Sequence, residues 1–164
     1  MSKTIQVELS DSSLKNAVKE LRRYSAWIKI KEDELRSRLA MLGATVASIR
    51  FTRAIYNGSN DVSVRVDDTG SVAVIYAEGE SVAFIEFGSG KKHGYGHPEA
   101  GKFGFGPGTW SDGPDGKGHW DDPNGWWYGH GKHSFGNPPA MAMVAARDAI
   151  VEEVTRIATE VFKH

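Results

Sequence analysis

The chain has 164 residues, of which 40% are hydrophobic and 25% are charged, so its length and composition fit one soluble globular domain over residues 1–164. The absence of cysteine excludes a disulfide framework and a thiolate metal site. The net charge of −1 disfavours a general nucleic-acid binder. No signal-peptide start or apolar run of membrane-spanning length is present, so we expect a protein made in the cytoplasm without a membrane partner.

Positive and negative charges are separated along the chain. Residues 1–56 contain 11 Lys or Arg and 6 Asp or Glu, whereas residues 57–87 contain one Arg and 6 acidic residues. Opposite charges on two parts of one chain can attract each other between subunits. They can also neutralise each other within one fold, and the sequence leaves both interpretations open.

A short strand and a helix are predicted near the N-terminus. Residues 4–9 alternate between apolar and polar side chains, which is the period of a half-buried strand. The oxygens of Ser10, Asp11 and Ser12 can cap a helix over about residues 13–28. The apolar face of this helix consists of Leu14, Ala17, Val18, Leu21, Tyr24 and Ile28.

A second helix is predicted from about Glu32, after an interruption at residues 29–31. Acidic residues 32–34 lie in its first turn, where the helix dipole favours negative charge. Gly43 weakens a helix relative to alanine, so we expect it to mark a close contact. The apolar stripe consists of Leu35, Leu39, Leu42, Val46 and Ile49.

A β-hairpin is predicted after Asn57-Gly58, which ends the helical region. Valines alternate with polar residues over 61–67, and strand composition resumes over 71–77 after a turn at 68–70. Residues 80–87 are ambiguous. Ala83, Phe84 and Phe87 would share one face of a short helix, whereas Val82, Phe84 and Glu86 would share one face of a strand.

A long C-terminal helix is predicted over residues 139–162, with proline in its first turn. Glu152, Arg156 and Glu160 lie four residues apart on its polar face and are expected to pair along it. The predicted buried stripe consists of Met143, Ala146, Ile150, Val154, Ile157 and Val161.

The segment 88–136 differs from the rest of the chain because it concentrates glycine and aromatic residues. It holds 15 of the 19 glycines and four of the five tryptophans. Disordered linkers are poor in aromatic residues, so a long segment of this composition is expected to fold against another surface. Glycine permits close backbone approach, and Trp and Tyr anchor interfaces. The segment is therefore predicted to be an extended docking loop, or else a loop that caps the core of its own domain.

Catalytic and metal-binding patterns are weak. The loop histidines His93, His97, His119, His130 and His133 are interspersed with aspartates and could ligate zinc or nickel, but no helical motif holds them at converging positions. Glycine-rich residues 101–106 lack the spacing of a nucleotide-binding fingerprint. No calcium-loop or serine-nucleophile motif is present. We therefore expect a non-enzymatic protein without a cofactor or a metal.

Two separated motifs resemble those of a known family. They are Phe84-Ile85-Glu86-Phe87-Gly88-Ser89 and Gly136-Asn137-Pro138-Pro139-Ala140, with Trp126-Trp127-Tyr128-Gly129 between them. Their order, around a variable Gly- and aromatic-rich insertion and before a long C-terminal helix, resembles the tail-completion or neck proteins of long-tailed bacteriophages. Many relatives carry Pro-Phe-Met after the Gly-x-Pro element, whereas this chain has Met141-Ala142-Met143.

The resemblance implies an α+β fold in which N- and C-terminal helices pack on a small antiparallel β-sheet, with a helix over residues 80–87. It implies a structural virion protein of the tail or neck that forms a hexameric ring between the head-connector or stopper protein and the tail terminator or tail tube protein. In such a ring the basic residues Lys15, Lys19, Arg22 and Arg23 could face DNA in the channel or only solvent. Glu86 is implied to fix the base of the loop. The residues expected to mediate interactions are Phe84, Glu86, Phe87, Gly88, Trp110, Trp120, Trp126, Trp127, Tyr128, Pro138, Pro139, Met141 and Met143.

Two other functions fit parts of the sequence. Rows of exposed aromatic rings suit stacking on sugars, so a module that binds glycan through the Trp-rich loop is one alternative. A metal-dependent hydrolase that uses the loop histidines is the other.

Overall fold

The computed structural model describes residues 10–56, 58–90, 93, 96–99, 126–128 and 132–163. Helices near both ends of the described chain pack on a small two-stranded antiparallel sheet, which confirms the predicted α+β fold. The predicted strand at residues 4–9 lies outside the described residues. The elements are α1 (Asp11–Thr52), β1 (Ser63–Asp67), β2 (Val74–Glu78), α2 (Val82–Phe87), β3 (Trp126–Tyr128), β4 (Lys132–Ser134) and α3 (Ala142–Phe162).

Helix α1 is one continuous helix of 42 residues, so the predicted interruption at residues 29–31 is wrong. Lysine is a good helix former, and Lys31 forms an ion pair at 2.9 Å with Glu34 one turn later. The apolar pattern is interrupted there while the backbone stays helical. The predicted N-cap is confirmed, because the Ser10 hydroxyl accepts a hydrogen bond from the Ser13 N–H at 3.3 Å.

Helix α3 runs antiparallel to α1, along the part of α1 from Trp27 to Phe51. The first turns of α3 contribute Ala142 and Ala146 to a core cluster with Ala47 and Phe51 of α1. The other end of α3 reaches Trp27, whose ring centroid lies 5.9 Å from that of Phe162. At about 1.5 Å per residue, α1 is about twice as long as α3, so residues 11–26 of α1 extend beyond it.

The contact between α1 and its neighbours uses small residues. The most buried line on the second half of α1 consists of Ala40, Gly43, Ala47 and Phe51, which lies one position beyond the predicted stripe. Of the predicted stripe, Leu35, Leu39, Leu42 and Val46 are half-buried and Ile49 is exposed, which corrects the prediction for Ile49. Small side chains let the elements approach closely. A Cβ added at Gly43 would lie 2.6 Å from Ile75 and 2.7 Å from Ile150, so the predicted close contact at Gly43 is confirmed.

Strands β1 and β2 form the predicted hairpin, with Val66 opposite Ile75 and Val64 opposite Ala77. Alternate residues on both strands are half-buried and face the helices, while the others are exposed. An ion pair of 2.5 Å between Arg36 and Asp68 fixes the hairpin turn against the middle of α1.

The remaining sequence predictions concern residues 80–87 and the C-terminal helix. Residues 82–87 form the short helix α2, so the strand alternative is wrong. Helix α3 begins at Ala142 instead of residue 139, because Met141 adopts a left-handed conformation (φ 49°) that a helix cannot contain. Arg156 pairs with Glu153 and Glu160 instead of Glu152.

The described helices include none whose length and apolar composition would let it cross a lipid bilayer.

Candidate functional site at the base of the 88–136 segment

The two ends of the 88–136 segment meet at one point, through a backbone pair between Ser89 and Asn137. The Ser89 N–H donates to the Asn137 carbonyl at 2.9 Å, and the Asn137 N–H donates to the Ser89 carbonyl at 3.1 Å. The Asn137 side-chain amide also donates to the Ser89 hydroxyl at 3.0 Å. Both residues are buried, so all of these hydrogen bonds are shielded from water. The two ends of the segment are therefore held together in one region, which we call the loop base (Glu86–Ser89 and Gly136–Met143).

Two glycines make this close backbone approach possible. Gly88 and Gly136 both have left-handed backbones, with φ of 78° and 91°. A Cβ at Gly136 would collide with the Ser89 carbonyl oxygen, and one at Gly88 would lie 2.8 Å from the Asn137 carbonyl oxygen. Any side chain at either position would therefore force the two ends of the segment apart.

The Glu86 carboxylate caps the N-terminus of α3 from outside that helix. It accepts hydrogen bonds from the Ala142 N–H at 2.7 Å and from the Met143 N–H at 3.1 Å. Met141, which occupies the N-cap position, provides no side-chain cap of its own. The N-terminus of a helix carries unpaired donors and a partial positive charge, so a buried carboxylate is favourable there.

His97 completes the environment of Glu86 and ties the start of the segment to it. The His97 Nε2 lies 3.2 Å from a Glu86 oxygen, and its Nδ1 accepts the Glu99 N–H at 3.0 Å. Because Nδ1 is an acceptor, the ring proton lies on Nε2 and is donated to Glu86. The ring also packs against Phe87, with centroids 4.4 Å apart. His97 is buried and both of its nitrogens are occupied, which is the environment of a structural residue.

Backbone hydrogen bonds connect residues 138–141, which contain both prolines, to α2. The Ala140 N–H donates to the Ile85 carbonyl at 2.8 Å, and the Met141 N–H donates to the Glu86 carbonyl at 3.3 Å. Pro138 and Pro139 are half-buried between these contacts and carry no N–H that would need a partner. These hydrogen bonds pair backbone groups of α2 with those of the residues before α3 without a regular sheet.

The structure brings most of the predicted interaction residues to the loop base or to α2. They are Phe84, Glu86, Phe87, Gly88, Pro138, Pro139, Met141 and Met143. Trp126, Trp127 and Tyr128 form β3, which pairs with β4 so that Trp127 is opposite His133. Trp110 and Trp120 lie outside the described residues.

Sequence reasoning missed three residues that hold this region together. Ser89 and Asn137 were read only as parts of motifs, and Asp61 was read only as the start of a strand. The Asp61 carboxylate accepts the Glu80 N–H at 2.6 Å and the Ser81 N–H at 3.1 Å, just before α2. These hydrogen bonds, the Glu80 one first, lower the pKa of Asp61. An acidic residue before a strand gives no local signal that its partners lie 19 and 20 positions later.

Residues 11–26 of α1, which extend beyond α3 and which we call the projecting half, form a second candidate surface. Leu14, Val18 and Leu21 of the predicted apolar stripe are 46%, 47% and 54% exposed. Leu14, Val18 and Ala26 line a shallow groove together with the four basic residues Lys15, Lys19, Arg22 and Arg23. The groove therefore has an apolar floor and a basic rim.

Among the described residues, no group of three or more His, Asp or Glu side chains is arranged to hold a metal ion. The histidines at 119 and 130 lie outside the described residues, as do residues 101–106.

Comparison with known proteins gives no relative: the chain matches no protein-family model, no curated protein and no solved structure.

Proposed function

We propose that the chain is a structural, non-enzymatic protein of a long-tailed phage neck, which completes or joins the tail at the head–tail interface by ring assembly. It would be assembled in the host cytoplasm, become part of the virion, and contact copies of itself, the head connector or stopper, and the tail terminator or tail tube. The observation that carries the proposal is the loop base. The two motifs that resemble the neck family, 48 positions apart, contact each other directly through Ser89 and Asn137.

The arrangement suits an assembly role because it presents a long insertion from a rigid support. Glu86 ties α2, α3 and His97 to one another, so the two ends of the segment have a fixed position relative to the helices. A rigid base lowers the entropy that the segment would lose on docking to a neighbour. We propose that the Trp-rich segment docks on a neighbouring subunit.

The function is tested by disrupting the gene in the phage that encodes the chain. We expect electron microscopy to show unjoined heads and tails, and the purified full-length protein to restore joined particles when added. Joined, infectious particles in the absence of the protein would refute the proposal. Selective binding of the monomer on a glycan array would favour the sugar-binding alternative instead.

The docking role of the segment is tested separately by deleting residues 91–133. Because Ser89 and Asn137 remain, we expect a helical protein that no longer forms rings. The control is the full-length chain at the same concentration, examined by native mass spectrometry. Rings formed by the deletion variant would refute the docking role.

A further inference from the structure

Three cations and three carboxylates on two separate surfaces have no oppositely charged partner among the residues that the structure describes. On the projecting half of α1, Arg23 pairs with Glu20, but Lys15, Lys19 and Arg22 form no ion pair with any described residue. On the hairpin, Asp68 pairs with Arg36 and Glu78 with Arg65. The acidic side chains there without a basic partner in the described part of the chain are Asp61, Asp67 and Glu80.

Both surfaces also expose apolar side chains. The α1 groove has Leu14 and Val18 in its floor. The outer face of the hairpin carries the exposed residues Val74 and Tyr76, and Val72 beside them is 63% exposed. The strand register places Asp67 opposite Val74 at one end of this face, while Glu80 follows Glu78 at the other. Arg65 lies opposite Tyr76 on the hairpin face but pairs with Glu78, as Glu20 pairs with Arg23 on α1. Each surface therefore has an apolar centre, and the charges around it that lack an ion-pair partner among the described residues are of one sign.

The two surfaces cannot meet within one molecule. The inner face of the hairpin, which includes Val64 and Ala77, packs against the core cluster that contains α1 residues Ala47 and Phe51. Since side chains alternate across a strand, Val74 and Tyr76 point away from α1. The hairpin turn pairs with Arg36 through Asp68, and its residues Gly70 and Ser71 line a groove that extends to Lys29, so residues 11–26 of α1 lie beyond it.

We propose that the basic, apolar groove on α1 residues 14–26 docks on the outer face of the β1–β2 hairpin of a second copy of this chain. This inference rests on the proposed function, since it assigns a second contact between neighbouring copies in the ring, besides the docking of the 88–136 segment. Each copy carries one groove and one hairpin face, so the contact is head-to-tail and closes into a ring when the rotation between copies permits. The apolar floor favours a protein partner over DNA, whose backbone would use only the basic rim.

Disulfide trapping tests the contact directly, because the natural chain contains no cysteine. In the full-length Val18→Cys/Tyr76→Cys variant we expect oxidation to produce a ladder of linked multimers. The control variant Val18→Cys/Val151→Cys has its second thiol on an exposed position of α3 and should stay unlinked. Equal linking in both variants, or linking by Val18→Cys alone, would overturn the proposal, since the latter indicates pairing between two α1 helices.

Charge reversal provides the second test. We expect Lys19→Glu or Glu80→Lys alone to weaken self-association about fivefold or more in sedimentation experiments, and the double variant to recover most of it. Arg50→Glu makes the same charge change near the other end of α1 and should have no such effect. Failure of the double variant to recover would overturn the charge pairing.

The outcomes separate this contact from the proposed function. Rings that form without the Val18–Tyr76 cross-link would overturn the contact and leave the neck assignment standing. Salt-dependent binding of duplex DNA that is lost in Lys19→Glu, without cross-linking, would show that the groove binds nucleic acid and would overturn the contact too.

Discussion

The two halves of α1 carry the same kind of apolar periodicity and have different environments. In the C-terminal half, Ala40, Gly43, Ala47 and Phe51 are buried by α3 and the hairpin. In the N-terminal half, Leu14, Val18 and Leu21 recur at similar intervals and remain exposed. The difference arises because α3 has 21 residues and α1 has 42. An apolar stripe therefore shows which face of a helix can be buried, while the lengths of the neighbouring elements decide whether they bury it.

Polar side chains also differ between the loop base and the projecting half of α1. At the loop base, buried polar side chains such as Glu86 and Asn137 all have hydrogen-bond partners. On the projecting half of α1, basic side chains have no acidic partner among the described residues except for Arg23. We therefore expect substitutions at the loop base to change the stability of the monomer and those on the projecting half to change association.

Glu86→Ala should have the largest effect on stability. Removal of the carboxylate leaves the N–H groups of Ala142, Met143 and His97 without an acceptor in a buried site, which costs about 3 kcal/mol or more of unfolding free energy. Urea unfolding followed by circular dichroism measures this loss. Glu86→Gln keeps one acceptor oxygen and should lose about half as much. A loss below about 0.5 kcal/mol for the alanine variant would contradict the capping role.

Gly136→Ala should destabilise the monomer by about 3 kcal/mol, because the new Cβ collides with the Ser89 carbonyl and the backbone is left-handed. Gly70→Ala is a matched control, since Gly70 has nearly the same φ (92°) with no atom within 4 Å of the added Cβ. The Gly70→Ala variant should lose only about 1 kcal/mol of unfolding free energy. Thermal unfolding of both variants measures the difference, and equal losses would mean that the collision relaxes at little cost.

Val161→Ser and Val18→Ser make the same chemical change in the two environments of the helix pair. Val161 is fully buried, so its substitution should lower the free energy of unfolding by about 2 kcal/mol. Val18 is exposed, so its substitution should lower it by less than about 0.5 kcal/mol. Serine and valine have similar helix propensities, so the comparison isolates burial. At high concentration, Val18→Ser should instead reduce self-association. Equal losses in the dilute monomer would contradict the assignment of the projecting half to a partner.

The substitution Asp61→Asn should have the smallest effect on stability, and this effect should be recognised by its dependence on pH. Its pKa is lowered in the folded state by hydrogen bonds from Glu80 and Ser81, so the ionised form is bound more favourably in the native state. This contribution is fully present above the ordinary pKa of about 3.9 and is lost as the pH falls through the lower folded value. The difference in urea midpoint between the natural chain and Asp61→Asn should therefore shrink as the pH is lowered from about 5 to about 2. A constant difference over this range would contradict the role of the charge.

Local patterns in the sequence predicted most of the elements. The Ser10 cap, the hairpin with Val64 and Val66 inward, and the buried stripe of α3 follow from capping chemistry and from periods of two and 3.6 residues. The prediction of a break at residues 29–31 failed because a change in apolar pattern was taken for a change in backbone. Nothing in that stretch prevents a helix, since neither proline nor glycine occurs in it.

The sequence by itself determined most of the helices, the hairpin and the apolar face of each, because these properties depend on neighbours a few residues apart, but it left residues 80–87 open between helix and strand. Tertiary structure decided what Glu86, His97, Ser89 and Asn137 do, because their partners lie 11 to 57 positions away and no local rule links them. It also decided that α3 ends beside Trp27 and does not extend along residues 11–26 of α1, since the reach of α3 depends on where the loop base places its first turn.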